Sequence, residues 1–243
     1  MIVRTLLAAL CAGLLAGILI LPVQYARVVP LIVHAESYEN GGAHEHHAAS
    51  PSFFVSPAYA HGAGGAHEEG EGGGTLVESR LLGTLLADLV AGAGFALLLA
   101  GASLVLGLPL NRRNGVFWGL AGFATVTLAP ALGLAPELPA MPAAELGMRQ
   151  AWWLATAAFT ALGLFLLVTR RSAGLKAAGI FALLLPHLWG APQPTDLASP
   201  VPPALAAEFA VASLVTSALF WVMIGTFAGR FLDRAATRSP LPA

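Results

Sequence analysis

Several runs of about twenty apolar residues dominate this sequence and constrain its fold more than any other feature. A transmembrane helix needs about 20 such residues, because each adds about 1.5 Å to a hydrocarbon core of about 30 Å. Of the 243 residues, 57% are hydrophobic and 10% are charged, whereas soluble domains carry about 25% charged residues. Lipid offers no partners for backbone polar groups, so apolar runs this long fold as helices. We therefore predict an all-α, polytopic transmembrane helix bundle that forms a single domain over residues 1–243.

Six segments qualify as spans. They are Thr5–Val23, Leu81–Leu106, Gly115–Leu134, Trp152–Thr169, Leu175–Leu188 and Ala206–Phe227. The first could instead be a signal peptide that begins at Arg4, but its apolar run is too long and the Ala58-Tyr59-Ala60 pattern lies far downstream. We therefore predict that it stays in the protein as a span. The fifth segment is short and contains Pro186, so five spans are the alternative to six.

The positive charges alternate between successive loops, and this alternation predicts the orientation. With the N-terminus in the cytoplasm, nine Lys and Arg residues fall inside and three fall outside. The nine are Arg4, Arg112, Arg113, Arg170, Arg171, Lys176, Arg230, Arg234 and Arg238, and the three are Arg27, Arg80 and Arg149. We predict a multi-pass protein of the cell inner (plasma) membrane with both termini in the cytoplasm.

Small residues recur at four-residue spacing in the predicted spans, which favours close approach of helix backbones. The rows are Ala9, Gly13 and Gly17 in the first span; Gly83, Ala87 and Ala91, with Thr84, Asp88, Gly92 and Ala96 beside them, in the second; Gly115 and Gly119 in the third; and Ser213, Ser217, Gly225 and Gly229 in the sixth. We expect a compact bundle that is surrounded by membrane lipid.

The outer segment 34–80 differs in composition from the rest of the chain. It holds six of the seven histidines and seven of the thirteen acids, with glycine runs that predict flexibility. Imidazole is a strong ligand for Co²⁺, Ni²⁺, Cu²⁺ and Zn²⁺, so this loop is a candidate for metal capture. The alternative is a solvated loop that binds no specific metal. The candidate ligands are His34, His44, His46, His47, His61 and His67.

Two further polar residues lie in or near the spans. Asp88 is the only acid well inside a predicted span, since Glu208 lies at the very start of the sixth, and such acids face a bundle interior or an ion path. An inter-helix hydrogen bond is the alternative role for Asp88. His187 follows Pro186 at the outer end of the fifth segment, where a short or broken helix beside an imidazole could bind an ion. An interfacial histidine in contact with water is the alternative there.

The loop 130–150 is rich in proline, which favours an extended path with little helix, and Pro142 then suits the start of a helix. Glu145 and Arg149 lie four residues apart and could pair on one helix face. We predict that this loop shapes the outer mouth of the bundle.

The sequence also argues against several function classes. It carries no Walker loop, no nucleophile elbow and no His-Glu-x-x-His helix. Its single cysteine, Cys11, excludes an internal disulfide and a thiolate cluster. We therefore predict no enzymatic activity and no tightly bound cofactor, and the lack of a basic patch predicts no nucleic-acid partner.

Five blocks together resemble the CbtA family of proposed cobalt transporter subunits. They are RTLLAALCAGLLAGILILPVQ, LIVHAESYE, LAPALGLAPELPAMPAAELGMRQAWWLATA, LPHLWGAPQP and EFAVASLVTSALFWVMIGTFAG. The resemblance implies cobalt uptake linked to cobalamin synthesis, five spans, and a small single-span partner with a histidine-rich end. Glu36 and His187 lie in these blocks and join the metal candidates.

Two functions follow as hypotheses. In the first, the chain is a transport subunit for cobalt, nickel or another divalent metal, which passes polar groups such as His187 and Asp88. In the second, it is a membrane scaffold or metal sensor that recruits a partner and moves no ion. The few polar residues inside the spans favour the second hypothesis.

Overall fold

A computed structural model describes residues 2–40 and 80–237, and every regular element in this part of the chain is helical, as predicted. There are seven helices in these residues. They are α1 (Ile2–Arg27), α2 (Val29–Asn40), α3 (Arg80–Leu106), α4 (Gly115–Ala131), α5 (Leu146–Thr169), α6 (Ala173–Trp189) and α7 (Pro203–Thr237).

Four of these helices, α1, α3, α5 and α7, are long and apolar enough to cross a membrane. The apolar helices α4 and α6 have 17 residues each, or about 25 Å, which is close to the shortest length that spans a bilayer. The sequence predicted one short span and the structure has two, because α4 ends at Ala131 and residues 132–134 form a turn. Six crossings thus remain a prediction, with four supported by helix length.

Helix α4 contains one widened turn, a π-helical segment over Ala124–Leu128. Pro130 explains it, because proline has no N–H to donate and its ring crowds the preceding turn. The Ala129 N–H instead donates to the Ala124 carbonyl, five residues back. The Trp221 indole N–H of α7 donates to the Thr127 hydroxyl in this turn at 3.2 Å. Pro130 and the Trp221 hydrogen bond thereby shape the part of α4 that contacts α7.

Glycine contacts hold the helices together in pairs, as the small-residue spacing predicted. A Cβ on Gly13 of α1 would overlap the Gly92 carbonyl of α3, and a Cβ on Gly115 of α4 would overlap the Gly225 carbonyl of α7. Of the two rows on α3, the buried one contains Thr84, Asp88, Gly92 and Ala96. Helix α6 packs mainly against α5, so the bundle consists of a central set, α1, α3, α4 and α7, with the α5–α6 hairpin beside it.

A second apolar cluster lies at one end of the bundle, which we call the loop end. It joins α2 and the start of α7 to the connections 132–145 and 190–202, and its buried residues are Val28, Ile32, Ala35, Leu138, Val201, Leu205 and Phe209. The predicted outer loop 34–80 therefore starts too early, because residues 34–40 continue α2 and Ala35 packs in this cluster. Residues 41–79 lie outside the described residues.

The connection between α4 and α5 corrects two predictions. Helix α5 starts at Leu146 rather than Pro142, because the Glu145 carboxylate accepts hydrogen bonds from the Gly147 and Met148 N–H groups and caps the helix. Arg149 pairs with Glu137 at 2.7 Å rather than with Glu145. Both acids of this connection thus stabilise its shape.

Candidate functional site

Asp88 lies in a close contact between α3 and α1, where a Cβ on Gly17 would lie 2.6 Å from the Asp88 carbonyl oxygen. Its side chain is only 1% exposed, and its Oδ1 accepts a hydrogen bond from Gln24 Nε2 at 2.7 Å. Its Oδ2 is buried and has no hydrogen-bond partner among the described residues. The inter-helix hydrogen bond that the sequence allowed for is therefore present, and half of the carboxyl group still lacks a partner there.

Glu36 and Arg80 form an ion pair that joins α2 to the start of α3. Arg80 Nη2 lies 2.8 Å from Oε1 and 2.9 Å from Oε2 of Glu36, and both side chains are partly exposed. The two residues lie near opposite ends of the histidine-rich segment in sequence, so their contact brings those ends together. A metal ion at Glu36 would have to replace the Arg80 guanidinium.

His34 lies two residues before Glu36 on an exposed part of α2. Its ring centroid is 5.8 Å from that of Tyr38, one turn further along. The Ser37 hydroxyl donates to the His34 carbonyl at 2.7 Å, which anchors the backbone and leaves the imidazole exposed. The imidazole of His34 is therefore accessible from the loop end.

His187 lies in the last turn of α6 and is half-buried. Its ring meets the edge of Trp152 on α5, with centroids 5.9 Å apart. The Trp152 indole N–H donates to the Pro186 carbonyl at 3.3 Å, and a Cβ on Gly133 would overlap the same indole ring. Trp152 thus fixes the end of α6 and the position of His187.

Two of the predicted metal ligands lie along one helix interface, and a third lies elsewhere. Glu36 and Asp88 lie along the interface of α3 with α1 and α2, whereas His187 lies on the α5–α6 hairpin. His44, His46, His47, His61 and His67 lie outside the described residues. Within residues 2–40 and 80–237, no three His, Cys, Asp or Glu side chains come together in a way that could hold a metal ion.

Sequence reasoning missed Gln24, the hydrogen-bond partner of Asp88. The available signal was an amide at the end of the first apolar run, one of few polar side chains in that helix. Buried amides in membranes usually hydrogen-bond to a neighbouring helix. Gln24 could therefore have been identified as a bonding residue, although its partner could not.

Two acids at the loop end have shifted pKa values that reflect structural roles. Burial raises the pKa of Glu137, and the ion pair with Arg149 opposes that rise. Hydrogen bonds from the Gly147 and Met148 N–H groups lower the pKa of Glu145. Both carboxyl groups have protein partners, which makes them poorer candidates for capturing metal than the histidines.

Comparison with known families decides the identity. The chain matches the model of a family described as "Probable cobalt transporter subunit (CbtA)" over residues 2–233. This chain belongs to the CbtA family. No curated protein and no solved structure matches it.

Membership of the CbtA family confirms the resemblance in the sequence, which extends over nearly the whole chain. It makes the chain a membrane subunit of a probable cobalt transporter, with cobalt as the probable substrate and with further subunits as partners. It also implies a non-enzymatic role. The four long apolar helices agree with a multi-pass membrane protein.

Proposed function

We propose that this CbtA chain is the membrane subunit of an uptake system for cobalt, or for nickel or another divalent metal, that serves cobalamin synthesis. The observation that carries the proposal is the family match over residues 2–233. The position of six of the seven histidines between residues 34 and 67 supports it further. The proposed partner is a small single-span membrane protein with a histidine-rich end.

The histidine-rich segment captures the metal in this proposal. His34 is exposed at the loop end, and the Glu36–Arg80 ion pair holds the two ends of the segment near each other. A flexible chain with several imidazoles can wrap an ion, but ordering it costs entropy, which favours loose and reversible capture. Such capture suits a subunit that must pass its ion onward.

Metal titration of the full-length protein tests this capture. We expect the wild type to bind Co²⁺ more tightly than a variant with His44, His46, His47, His61 and His67 all changed to alanine. A variant with Glu208→Ala, at an exposed acid outside the segment, serves as the control and keeps the tight binding. Equal affinity of the wild type and the five-alanine variant would remove the capture role.

The proposed orientation places both termini in the cytoplasm and the histidine-rich segment outside. The nine-to-three distribution of Lys and Arg residues supports it. A reporter enzyme that is active only in the cytoplasm, fused after Ala243, should be active. The same reporter inserted between Gly64 and Gly65 should be inactive, and the reverse pattern would contradict the orientation.

A membrane scaffold or metal sensor is the second proposed function. The described residues contain no group of three metal-ligating side chains, which favours a chain that recruits a partner without moving ions. Changing both Asp88 and His187 to alanine discriminates the two functions. Cobalt uptake that survives this double change supports the scaffold, and uptake that is lost supports the transport subunit.

A further inference from the structure

One row of side chains on α3 faces α1 and α2 and runs from the loop end into the bundle. Arg80, Thr84 and Asp88 follow one another at four-residue spacing, so they share one face of the helix. Arg80 contacts Glu36 on α2, and Asp88 contacts Gln24 on α1. We call these five residues the polar seam.

The polar seam extends about 12 Å into the bundle, because Asp88 lies eight residues after Arg80 on a helix that rises about 1.5 Å per residue. Thr84 and Asp88 are each 1% exposed. One turn beyond Asp88, the backbones of α1 and α3 touch at Gly13 and Gly92, where a Cβ on either glycine would overlap the other helix. The seam therefore leads inward from the loop end and stops at this glycine contact.

Asp88 gives the seam a group that can bind a cation. Its Oδ2 is buried and has no hydrogen-bond partner in the described part of the chain. A buried acid with an unpaired oxygen is destabilising, so its presence in this close helix contact points to a function. The oxygen donors of a carboxyl, an amide and a hydroxyl suit divalent cations and bind cobalt more weakly than imidazole does.

Arg80 closes the loop end of the seam. Its guanidinium occupies both carboxylate oxygens of Glu36, at 2.8 and 2.9 Å, and its positive charge repels any other cation that approaches. The pair is partly exposed, and ion pairs of this kind contribute little to stability. A divalent cation that binds Glu36 can therefore displace Arg80 at little cost.

We propose that the polar seam is an entry site for a divalent cation, closed by the Glu36–Arg80 ion pair and ending at Asp88, which Gln24 positions. The inference rests on the proposed uptake function. Weak oxygen ligands allow an ion to bind and then leave, as transport requires.

A reversible cross-link tests the closure of the seam. In a Cys11→Ala background, which removes the single native cysteine, Glu36→Cys and Arg80→Cys are combined and joined by a bis-maleimide reagent that contains a reducible disulfide, because the Arg80–Glu36 contact joins side-chain tips and a direct disulfide needs close backbones. Uptake of radiolabelled cobalt, measured with the partner subunits present, should fall to background and return on reduction to the level of the untreated double variant. The matched control is Glu137→Cys with Arg149→Cys, the other ion pair at the loop end, where the same cross-link should leave uptake unchanged. Uptake that persists through the cross-linked seam would overturn the proposal.

A charge-removing variant tests Asp88 independently of the cross-link. Asp88→Asn keeps an oxygen that accepts from Gln24 but removes the negative charge. We expect uptake at low cobalt concentration to fall about tenfold or more, as for other residues that tune a metal site. Glu208→Gln, at an exposed acid of α7 near the loop end, should stay within about twofold of wild type.

The outcomes separate this inference from the proposed function. Full uptake by Asp88→Asn, with a normal amount of folded protein, would refute the seam while leaving cobalt uptake established. No cobalt uptake by the wild type with its partner would refute the proposed function, and the seam with it. Loss of uptake in Asp88→Asn together with loss of folded protein would assign Asp88 to helix packing and would also overturn the seam.

Discussion

The contact between α4 and α7 leads to a sharp prediction about Gly225→Ala. A Cβ at Gly225 would lie 2.6 Å from the Gly119 nitrogen and 2.8 Å from its Cα, and would overlap the Gly115 carbonyl. All three atoms belong to the α4 backbone, so no side chain can rotate away and the helices must separate. Overpacking of this kind costs about 1–3 kcal/mol.

Gly101→Ala on α3 is the matched control, because nothing lies within 4 Å of a Cβ at that position. Alanine there should leave stability unchanged or raise it by up to about 1 kcal/mol, since it favours the helix over the unfolded chain. The difference between the two variants should thus be about 1–4 kcal/mol. Unfolding in a mixed-detergent titration measures it. Equal stability of the two variants would refute the backbone contact between α4 and α7.

Three further predictions concern polar contacts. A double-mutant cycle with Gln24→Leu and Asp88→Leu should give a coupling of about 0.6–1.7 kcal/mol in detergent unfolding, and zero coupling would contradict the hydrogen bond. The pKa of Glu145 in the folded protein lies below its ordinary value of 4.5. The stability that its carboxylate contributes is therefore present above pH 4.5 and is lost as the pH falls through the folded pKa. In an acid titration, the Glu145→Gln variant should lack this loss of stability. Trp152→Phe should destabilise the protein by about 1 kcal/mol through its lost hydrogen bond, whereas Trp189→Phe, at a side chain that is 85% exposed, should be neutral.

The helices could be predicted because long apolar runs have one stable backbone solution in lipid. The glycine spacing in the first and third spans also identified real contacts, since helix geometry places residues four apart on one face. Element ends were less predictable. Residues 34–40 are polar in sequence, yet Ala35 and its neighbours pack on the loop-end cluster, which extends α2 into the segment that composition marked as a loop.

Partners distant in sequence could not be predicted. Arg149 pairs with Glu137, twelve residues away, rather than with Glu145, because Glu145 already caps α5. Asp88 finds Gln24 across 64 residues, and no local pattern encodes that pairing. The candidate site is therefore predictable as a set of polar residues but not as an arrangement, and the segment with most of its histidines lies outside the described residues.

Cobalt flux into sealed vesicles is the most direct test of the proposed uptake function. The chain and its partner subunits are reconstituted together, and the accumulation of radiolabelled cobalt is compared between the wild type and the variant with the five loop histidines changed to alanine. At low cobalt concentration we expect the wild type to accumulate cobalt faster than the variant, and at high concentration we expect the two rates to converge. Accumulation in the wild type no faster than in vesicles without the chain would contradict the proposed uptake function.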